Sequence, residues 1–139
     1  MAILYERVAL IGLGLIAGSM ALAMREHGLA GEVTGYARTE ATRATARRIG
    51  LVDRVCESAA DAVRDADLVV LCVPPGAMAQ VAREIGPALK QGATVTDVGS
   101  VKRAVQDAVA PHLPEGVHFV PGHPLAGTEH SGPEAGFAT

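Results

Sequence analysis

The sequence predicts an α/β domain built on a doubly wound parallel sheet. Short apolar runs alternate along the chain with segments of helical periodicity, so that six predicted strands are separated by helices. The run at residues 67–73 lacks polar alternation, which is typical of a central parallel strand buried on both faces. A glycine-rich turn joins the first strand to the first helix, as in folds of Rossmann type.

The elements follow from local signals. Strands are predicted from apolar and β-branched runs at residues 7–11, 32–36, 52–55, 67–73, 93–98 and 117–120. The first helix follows the glycine-rich turn and ends at Gly28, while Thr39 and Ser58 have the residue type and position of N-caps for the next two helices. Residues 74–76, Pro-Pro-Gly, are expected to interrupt regular structure before the fourth helix, and Pro111 to end the fifth.

Composition narrows the classes of function. The 139 residues suffice for one core, and a formal net charge of −3 without a basic stripe makes nucleic acid an unexpected partner. No apolar run approaches the ~20 residues of a membrane span, and we expect no signal peptide. Cys56 and Cys72 lack metal-ligand spacing, and we expect no metal site. Cys72 lies in an apolar run and is expected to be a buried, reduced thiol, which indicates a cytoplasmic protein.

The glycine-rich turn is the strongest indication of a ligand. Gly12, Gly14 and Ala17 fill the three positions of the dinucleotide fingerprint, with alanine as the accepted variant at the third. Gly12 permits a tight turn, Gly14 lets a pyrophosphate approach the backbone, and the helix N-terminus offers N–H groups to the phosphates. The alternative is a packing turn in a protein without a cofactor. The residues expected to bind a dinucleotide here are Gly12, Leu13, Gly14, Leu15 and Ile16.

The residues after the second strand bear on the choice between NAD and NADP. An acid there binds the ribose hydroxyls of NAD, whereas an arginine accommodates the 2′-phosphate of NADP. The tip is Ala37-Arg38-Thr39 and holds no acid. Glu32 is directed to the other end of the strand, and Glu40 lies in the next helix. All three tip residues are expected to contact the cofactor, and Arg38 and Thr39 favour NADP or a site that accepts both; alternatively, Arg38 is a solvated loop cation.

Two further strands end in residues that are expected to border the cofactor, because open α/β sheets bind ligands beyond the carboxyl ends of their strands. Val73 and Pro74 follow the fourth strand, and Val98 and Gly99 follow the fifth.

Two residues have side chains suited to chemistry at that edge. Ser100 begins a helix and is either an ordinary N-cap or a cap that also binds ligand. His123 follows the sixth strand, and a histidine beside a nicotinamide suits a proton acceptor because its unperturbed pKa is about 6.5.

Three strings of the chain carry a family resemblance. They are GLGLIAGS at residues 12–19, TDVGSVK at 96–102 and GHPLAGTEHSG at 122–132. Together, and in this order, they closely resemble the prephenate/arogenate (cyclohexadienyl) dehydrogenases of tyrosine biosynthesis, and the third string is the specific one. The resemblance implies oxidative decarboxylation of prephenate or arogenate, with hydride transfer to NAD or NADP.

The resemblance also implies roles for individual residues. His123 corresponds to the family's catalytic histidine, and Ser100 to the serine that hydrogen-bonds this histidine and the substrate. Thr128 and Glu129 fall where family members line the substrate pocket. Many NAD-using members carry an acid where this chain has Ala37-Arg38, so the choice of cofactor stays open.

The resemblance also implies that members of this family are longer than this chain. They continue for another ~100 or more residues, which form a helical domain of a size that is ordinary for a second domain. That domain builds a homodimer and supplies a substrate-binding arginine. We expect a Rossmann domain at residues 1–122, followed by an active-site loop region at 123–139 that leads to the missing domain. The chain is then expected to be the cofactor-binding fragment of such an enzyme and to turn over little or no substrate by itself. The alternatives are another Rossmann oxidoreductase of hydroxyacid type and a non-enzymatic nucleotide-binding module.

Overall fold

A computed structural model describes residues 5–98 and 102–120, and at residues 15–16 and 102–104 the backbone only. The helices and strands, in chain order, are β1 (Tyr5–Ile11), α1 (Leu15–His27), β2 (Ala30–Tyr36), α2 (Glu40–Ile49), β3 (Arg54–Val55), α3 (Ala59–Val63), β4 (Leu68–Leu71), α4 (Pro75–Ile85), β5 (Thr94–Asp97), α5 (Lys102–Val109) and β6 (His118–Phe119). Short 3-10 turns extend α4 and α5 at Gly86–Ala88 and Ala110–His112.

The predicted doubly wound sheet is confirmed. Six parallel strands lie in the order β3-β2-β1-β4-β5-β6. The chain therefore builds outward from β1 in one direction, returns to place β4 on its other side, and builds outward again. This reversal between β1 and β4 is the position at which such sheets bind ligands.

Two apolar clusters cover the two faces of the sheet. On one face α1 packs through Ala17, Met20, Ala21 and Met24 against a cluster that includes Val8 and Leu10 of β1. On the other face α3, α4 and α5 pack against a cluster that includes Ala9 and Ile11 of β1. Residues 8–11 are almost wholly inaccessible to solvent, which places β1 at the centre of the core.

The predicted helix boundaries are confirmed where capping chemistry is local. The Thr39 hydroxyl accepts a hydrogen bond from the Thr42 N–H at 3.3 Å, and the Ser58 hydroxyl accepts one from the Asp61 N–H at 3.0 Å. Gly28 ends α1 in the left-handed conformation, with φ of 62°.

Two boundary expectations need correction. Pro75 and Gly76 do not interrupt regular structure but form the first turn of α4, with Pro74 as its N-cap. The first helical position needs no N–H donor and suits the fixed φ of proline. The fourth strand is also shorter than predicted, since Asp67 lies outside β4 and its carboxylate accepts a hydrogen bond from the Arg7 N–H at 3.0 Å.

Glu32 lies within β2, near its amino end, where its carboxylate pairs with Arg7 Nε at 2.7 Å. It is therefore directed away from the carboxyl edge of the sheet, as expected. Across residues 5–98 and 102–120, no helix has the length and apolar character needed to cross a bilayer.

Candidate functional site

A cleft of about 450 Å³ lies at the carboxyl ends of β1, β2 and β4, at the reversal of the strand order. Its lining residues are Ile11, Gly12, Leu13, Gly14, Tyr36, Ala37, Arg38, Thr39, Thr42, Cys72, Val73, Pro74, Ala77, Gln80, Val81 and Glu84. The glycine-rich turn, the tip after β2 and the turn after β4 thus border one space, although they are far apart in the sequence. Val98 is not among the lining residues and packs against the apolar cluster under α1.

Gly12 is held where only glycine fits. Its φ is +100°, and a β-carbon there would lie 2.7 Å from the carbonyl oxygen of Cys72. The Gly12 N–H donates to the Tyr36 carbonyl at 2.7 Å, while the Cys72 N–H donates to the Ile11 carbonyl at 2.7 Å. The turn is therefore tied to both neighbouring strands, and the tight-turn role predicted for Gly12 agrees with this geometry.

Gly14 leaves open space where Gly12 has none. It is the N-cap of α1 with an extended φ of −108°, and beyond the local backbone and its two chain neighbours no atom of the described residues lies within 4 Å of the position of its β-carbon. Because glycine has no side chain, Gly14 provides no side-chain cap for the N–H groups at the start of α1. Ala17, one turn further on, is fully buried against the sheet. A phosphate can thus approach the start of α1 without meeting a side chain at residue 14.

The Leu13 side chain lies close to the backbone of Gly35 in β2, a contact that sequence reasoning missed. A β-carbon at Gly35 of β2 would lie 2.9 Å from Leu13 Cδ2 and 3.2 Å from Val52 Cγ2. The Leu13 side chain therefore packs over the bare backbone of Gly35 and anchors the glycine-rich turn to β2. An isolated glycine inside a predicted strand is a known signal of such an approach.

The three residues of the tip after β2 differ in exposure and in the partners of their side chains. Ala37 is buried, whereas Arg38 and Thr39 are exposed. Within residues 5–98 and 102–120, the Arg38 guanidinium makes no ion pair, so its charge is available at the mouth of the cleft. The Thr39 hydroxyl is occupied as the cap of α2.

The nearest acid to this tip is neutralised. Glu40 pairs through one oxygen with Arg43 at 3.0 Å and through the other with Arg47 at 3.6 Å. The charge of Glu40 is thus shared between two guanidinium groups, although its side chain is 64% exposed. Arg43 also binds the tip itself and is the second residue that sequence reasoning missed.

Cys72 forms part of the cleft wall and is partly buried, which corrects the expectation of a buried residue. It is a free thiol, and its sulfur lies 3.9 Å from the Val70 carbonyl oxygen. Burial of the sulfur, together with the charge of Asp97, raises the pKa of Cys72 to about 12. The thiol is therefore neutral at physiological pH and provides surface rather than a nucleophile.

Several residues predicted to take part in catalysis or to bind substrate or cofactor lie outside the described part of the chain. They are Gly99, Ser100, His123, Thr128 and Glu129, together with the side chains of Leu15 and Ile16. The strands that precede Ser100 and His123 in the sequence do lie side by side, because β5 pairs with β6, with Val95 opposite Phe119. Within the described ranges, no group of histidine, cysteine, aspartate and glutamate is arranged to hold a metal ion.

Comparison with protein families identifies the domain. Residues 20–139 match the family described as "Prephenate dehydrogenase, nucleotide-binding domain". The chain belongs to this family. The resemblance read from the three sequence strings is thereby confirmed.

Individual relatives agree with this assignment. The chain is 46% identical to the cyclohexadienyl dehydrogenase of Zymomonas mobilis over 134 residues, which cover 96% of this chain and 45% of the relative. It resembles the crystal structure of prephenate dehydrogenase from A. aeolicus, in complex with hydroxyphenyl propionate and NAD+, with a TM-score of 0.76 and 33% identity, covering 93% of this chain and 45% of that one. The arogenate dehydrogenase of Synechocystis superposes with a TM-score of 0.74 at 29% identity, covering 85% and 40%.

The coverage is asymmetric. The chain spans a little under half the length of these relatives, while nearly all of it is matched. The similarity therefore concerns the nucleotide-binding domain, which is the part that contains the cleft.

Proposed function

We propose that this chain binds NAD or NADP as the nucleotide-binding domain of a prephenate or arogenate dehydrogenase of tyrosine biosynthesis. The family match over residues 20–139 carries the proposal. The cleft supports it, because Gly12 and Gly14 keep the start of α1 open and the cleft of about 450 Å³ has a size typical of small-molecule sites. The pyrophosphate would lie at the N-terminus of α1, and the adenosine half would lie beside the tip after β2.

The reaction we propose is the oxidative decarboxylation of the substrate ring. When bound, NAD or NADP would supply the acceptor for a hydride from the carbon that bears the 4-hydroxyl. His123 accepts the proton of that hydroxyl, and Ser100 hydrogen-bonds the histidine and the substrate. Loss of carbon dioxide then yields the aromatic ring, whose formation supplies the driving force. Thr128 and Glu129 are proposed to contact the substrate, so the protein's work is orientation and acceptance of one proton.

For the cofactor, we propose a site that accepts both dinucleotides, with a modest preference for NADP. The Arg38 guanidinium has no ion-pair partner among the described residues, so a 2′-phosphate would meet an unpaired positive charge. Glu40, two residues further on, is paired with two arginines, and the acid among the described lining residues of the cleft is Glu84. Thr39 contributes less than expected from its residue type, since its hydroxyl caps α2.

Calorimetric titration of the chain with NAD and with NADP tests cofactor binding and preference. Saturable binding of both, tighter for NADP, is the expected result. Replacement of Arg38 by Gln should then reduce the affinity for NADP and leave that for NAD unchanged. Binding of neither dinucleotide by the wild-type chain would refute the proposal.

The activity requires a second experiment. A protein that contains this chain and the remainder typical of its relatives is mixed with prephenate or arogenate, and reduced nicotinamide is followed by absorbance. We expect turnover with at least one of the two. Turnover of simple hydroxyacids instead would identify a different Rossmann oxidoreductase.

We further propose a domain boundary at residue 122 and a homodimer formed through a helical domain beyond this chain. The twofold greater length of the relatives supports a second domain. Light scattering of the longer protein and of the 139-residue chain would show a dimer only for the former if this assignment is right.

A further inference from the structure

Arg43 has an unusual position for a helix-surface arginine. It lies in the first turn of α2, yet its side chain is only 13% exposed, compared with 40% for Arg47 one turn later. The cleft-lining tip after β2 lies directly against it. An arginine side chain that is largely withdrawn from solvent needs partners for its charge and its donors, and those partners define what it holds in place.

Its contacts converge on the backbone of the tip. Nη1 donates to the carbonyl oxygen of Ala37 at 2.6 Å and to that of Arg38 at 3.2 Å. One nitrogen thus holds two successive carbonyl groups, and a guanidinium fixes such acceptors more rigidly than a flexible ammonium does. The backbone of the tip is therefore secured to α2.

The remaining faces of the guanidinium are also occupied. Glu40 Oε1 accepts from Nη2 at 3.0 Å and from Nε at 3.3 Å, and Glu57 lies 3.8 Å from Nε. The guanidinium carbon lies 5.7 Å from the centre of the Tyr36 ring, within range of a cation–π contact. Arg43 is thus neutralised and is not the group that would meet a phosphate. Arg38, whose backbone it holds, carries the unpaired charge.

We propose that Arg43 is the positioning residue for the adenosine half of the dinucleotide and thereby sets the discrimination between NADP and NAD. By fixing the carbonyls of Ala37 and Arg38, it holds the Arg38 side chain at the ribose 2′-position. This inference rests on the proposed function, because it takes the cleft to be the dinucleotide site.

Arg47 provides a matched control. It pairs with the same two acids as Arg43, with Glu40 at 3.6 Å and with Glu57. Unlike Arg43, it makes no hydrogen bond to the tip backbone among the described residues. Arg47→Gln therefore removes a similar charge from the same acidic pair while leaving the tip secured.

The test is titration of the wild-type chain, Arg43→Gln and Arg47→Gln with NAD, NADP and ADP-ribose. For Arg43→Gln we expect about tenfold weaker binding of all three, from the loss of charge-assisted hydrogen bonds. We also expect its ratio of NADP to NAD affinity to fall towards one, which a general loss of stability would not cause. Arg47→Gln should retain the wild-type affinities and ratio.

Each outcome has a defined meaning. If Arg43→Gln binds all three ligands as Arg47→Gln does, the inference is wrong while the proposed function stands. If the wild-type chain binds no dinucleotide, the proposed function fails and takes this inference with it. If Arg43→Gln does not fold, Arg43→Lys decides the matter, since it keeps the charge beside Glu40 and Glu57. Wild-type affinity and ratio in Arg43→Lys would then overturn the proposal.

Discussion

The carbonyl oxygen of Cys72 lies 2.7 Å from the point that a β-carbon on Gly12 would occupy. This contact joins the turn after β1 to the end of β4, the two strands between which the sheet reverses direction. It explains why glycine is needed there through packing and backbone conformation alone. The neighbouring Gly14 has no such constraint, so the two glycines should respond differently to substitution.

Gly12→Ala is expected to destabilise the domain. The alanine would have to adopt a φ of +100°, and its methyl group would press on backbone atoms that cannot move aside. Such strain costs about 1–3 kcal/mol, and overpacking adds a similar amount. Urea unfolding followed by circular dichroism should show a lower midpoint. Gly14→Ala, at an extended φ and facing open space, is the control, and equal midpoints for the two variants would contradict this account.

Gly14→Val is expected to affect cofactor binding more than stability. Its side chain would extend into the space that we assign to the pyrophosphate, so calorimetry should show loss of NAD and NADP binding, by at least about a hundredfold. The unfolding midpoint should fall less than that of Gly12→Ala, since replacing glycine at an N-cap costs on the order of 1 kcal/mol. Unchanged affinity would mean that the phosphates lie elsewhere in the cleft.

The Cys72 thiol is expected to be unreactive despite its place in the cleft wall. With a pKa of about 12, its thiolate fraction at pH 8 is smaller than that of an ordinary thiol by about three orders of magnitude. Burial also raises the pKa of Cys56. In a Cys56→Ser variant, Ellman's reagent should therefore react slowly with the native chain and rapidly in urea. Fast reaction of the native variant would show that the thiol is ionised.

A hydrogen bond from Lys90 lowers the pKa of Asp67, and a second hydrogen bond, from the Arg7 N–H, acts in the same direction. A carboxyl group whose pKa is lower in the folded state stabilises the fold above its unfolded pKa of about 3.9, and this contribution disappears as the pH falls through the folded value. Because Asp67 is 26% exposed, we expect at most about 1 kcal/mol.

Asp67→Asn should accordingly have a lower urea midpoint than the wild type at pH 6. The difference should shrink as both proteins are brought below pH 4, where the wild-type carboxylate becomes protonated. A difference that stays constant from pH 6 to pH 2 would show that packing, not charge, is responsible.

The parts of the fold that sequence reasoning predicted are those with short-range causes. Thr39 and Ser58 cap helices through N–H groups three residues away, and Gly28 ends α1 through its own φ. The unbroken apolar run of β4 predicts a central strand whatever its neighbours are. The expectation for Pro75 was wrong, because the same ring that interrupts a helix interior also suits the first helical position.

The parts that were missed depend on how the elements lie against one another. Arg43 reaches the carbonyls of Ala37 and Arg38 only because α2 folds back over the end of β2. Gly35 lies beneath Leu13 only because β2 pairs with β1 in one register. Neither relationship has a signature in the local sequence beyond an arginine on a helix and a glycine in a strand.

His123→Asn is the variant that tests the proposed chemistry separately from cofactor binding. In an active protein that contains this chain, we expect kcat to fall by about 10²–10⁴-fold, the usual contribution of a general base. The dissociation constants of NAD and NADP should not change, because the residues that line the cleft lie at the turns after β1, β2 and β4 and in α4, and the further residues assigned to the cofactor, Val98 and Gly99, follow β5. The acidic limb of the pH–rate profile should also disappear, since asparagine does not titrate near the usual histidine pKa of about 6.5. Weaker cofactor binding with an intact kcat would instead make His123 a binding residue and leave the proton acceptor to be found elsewhere.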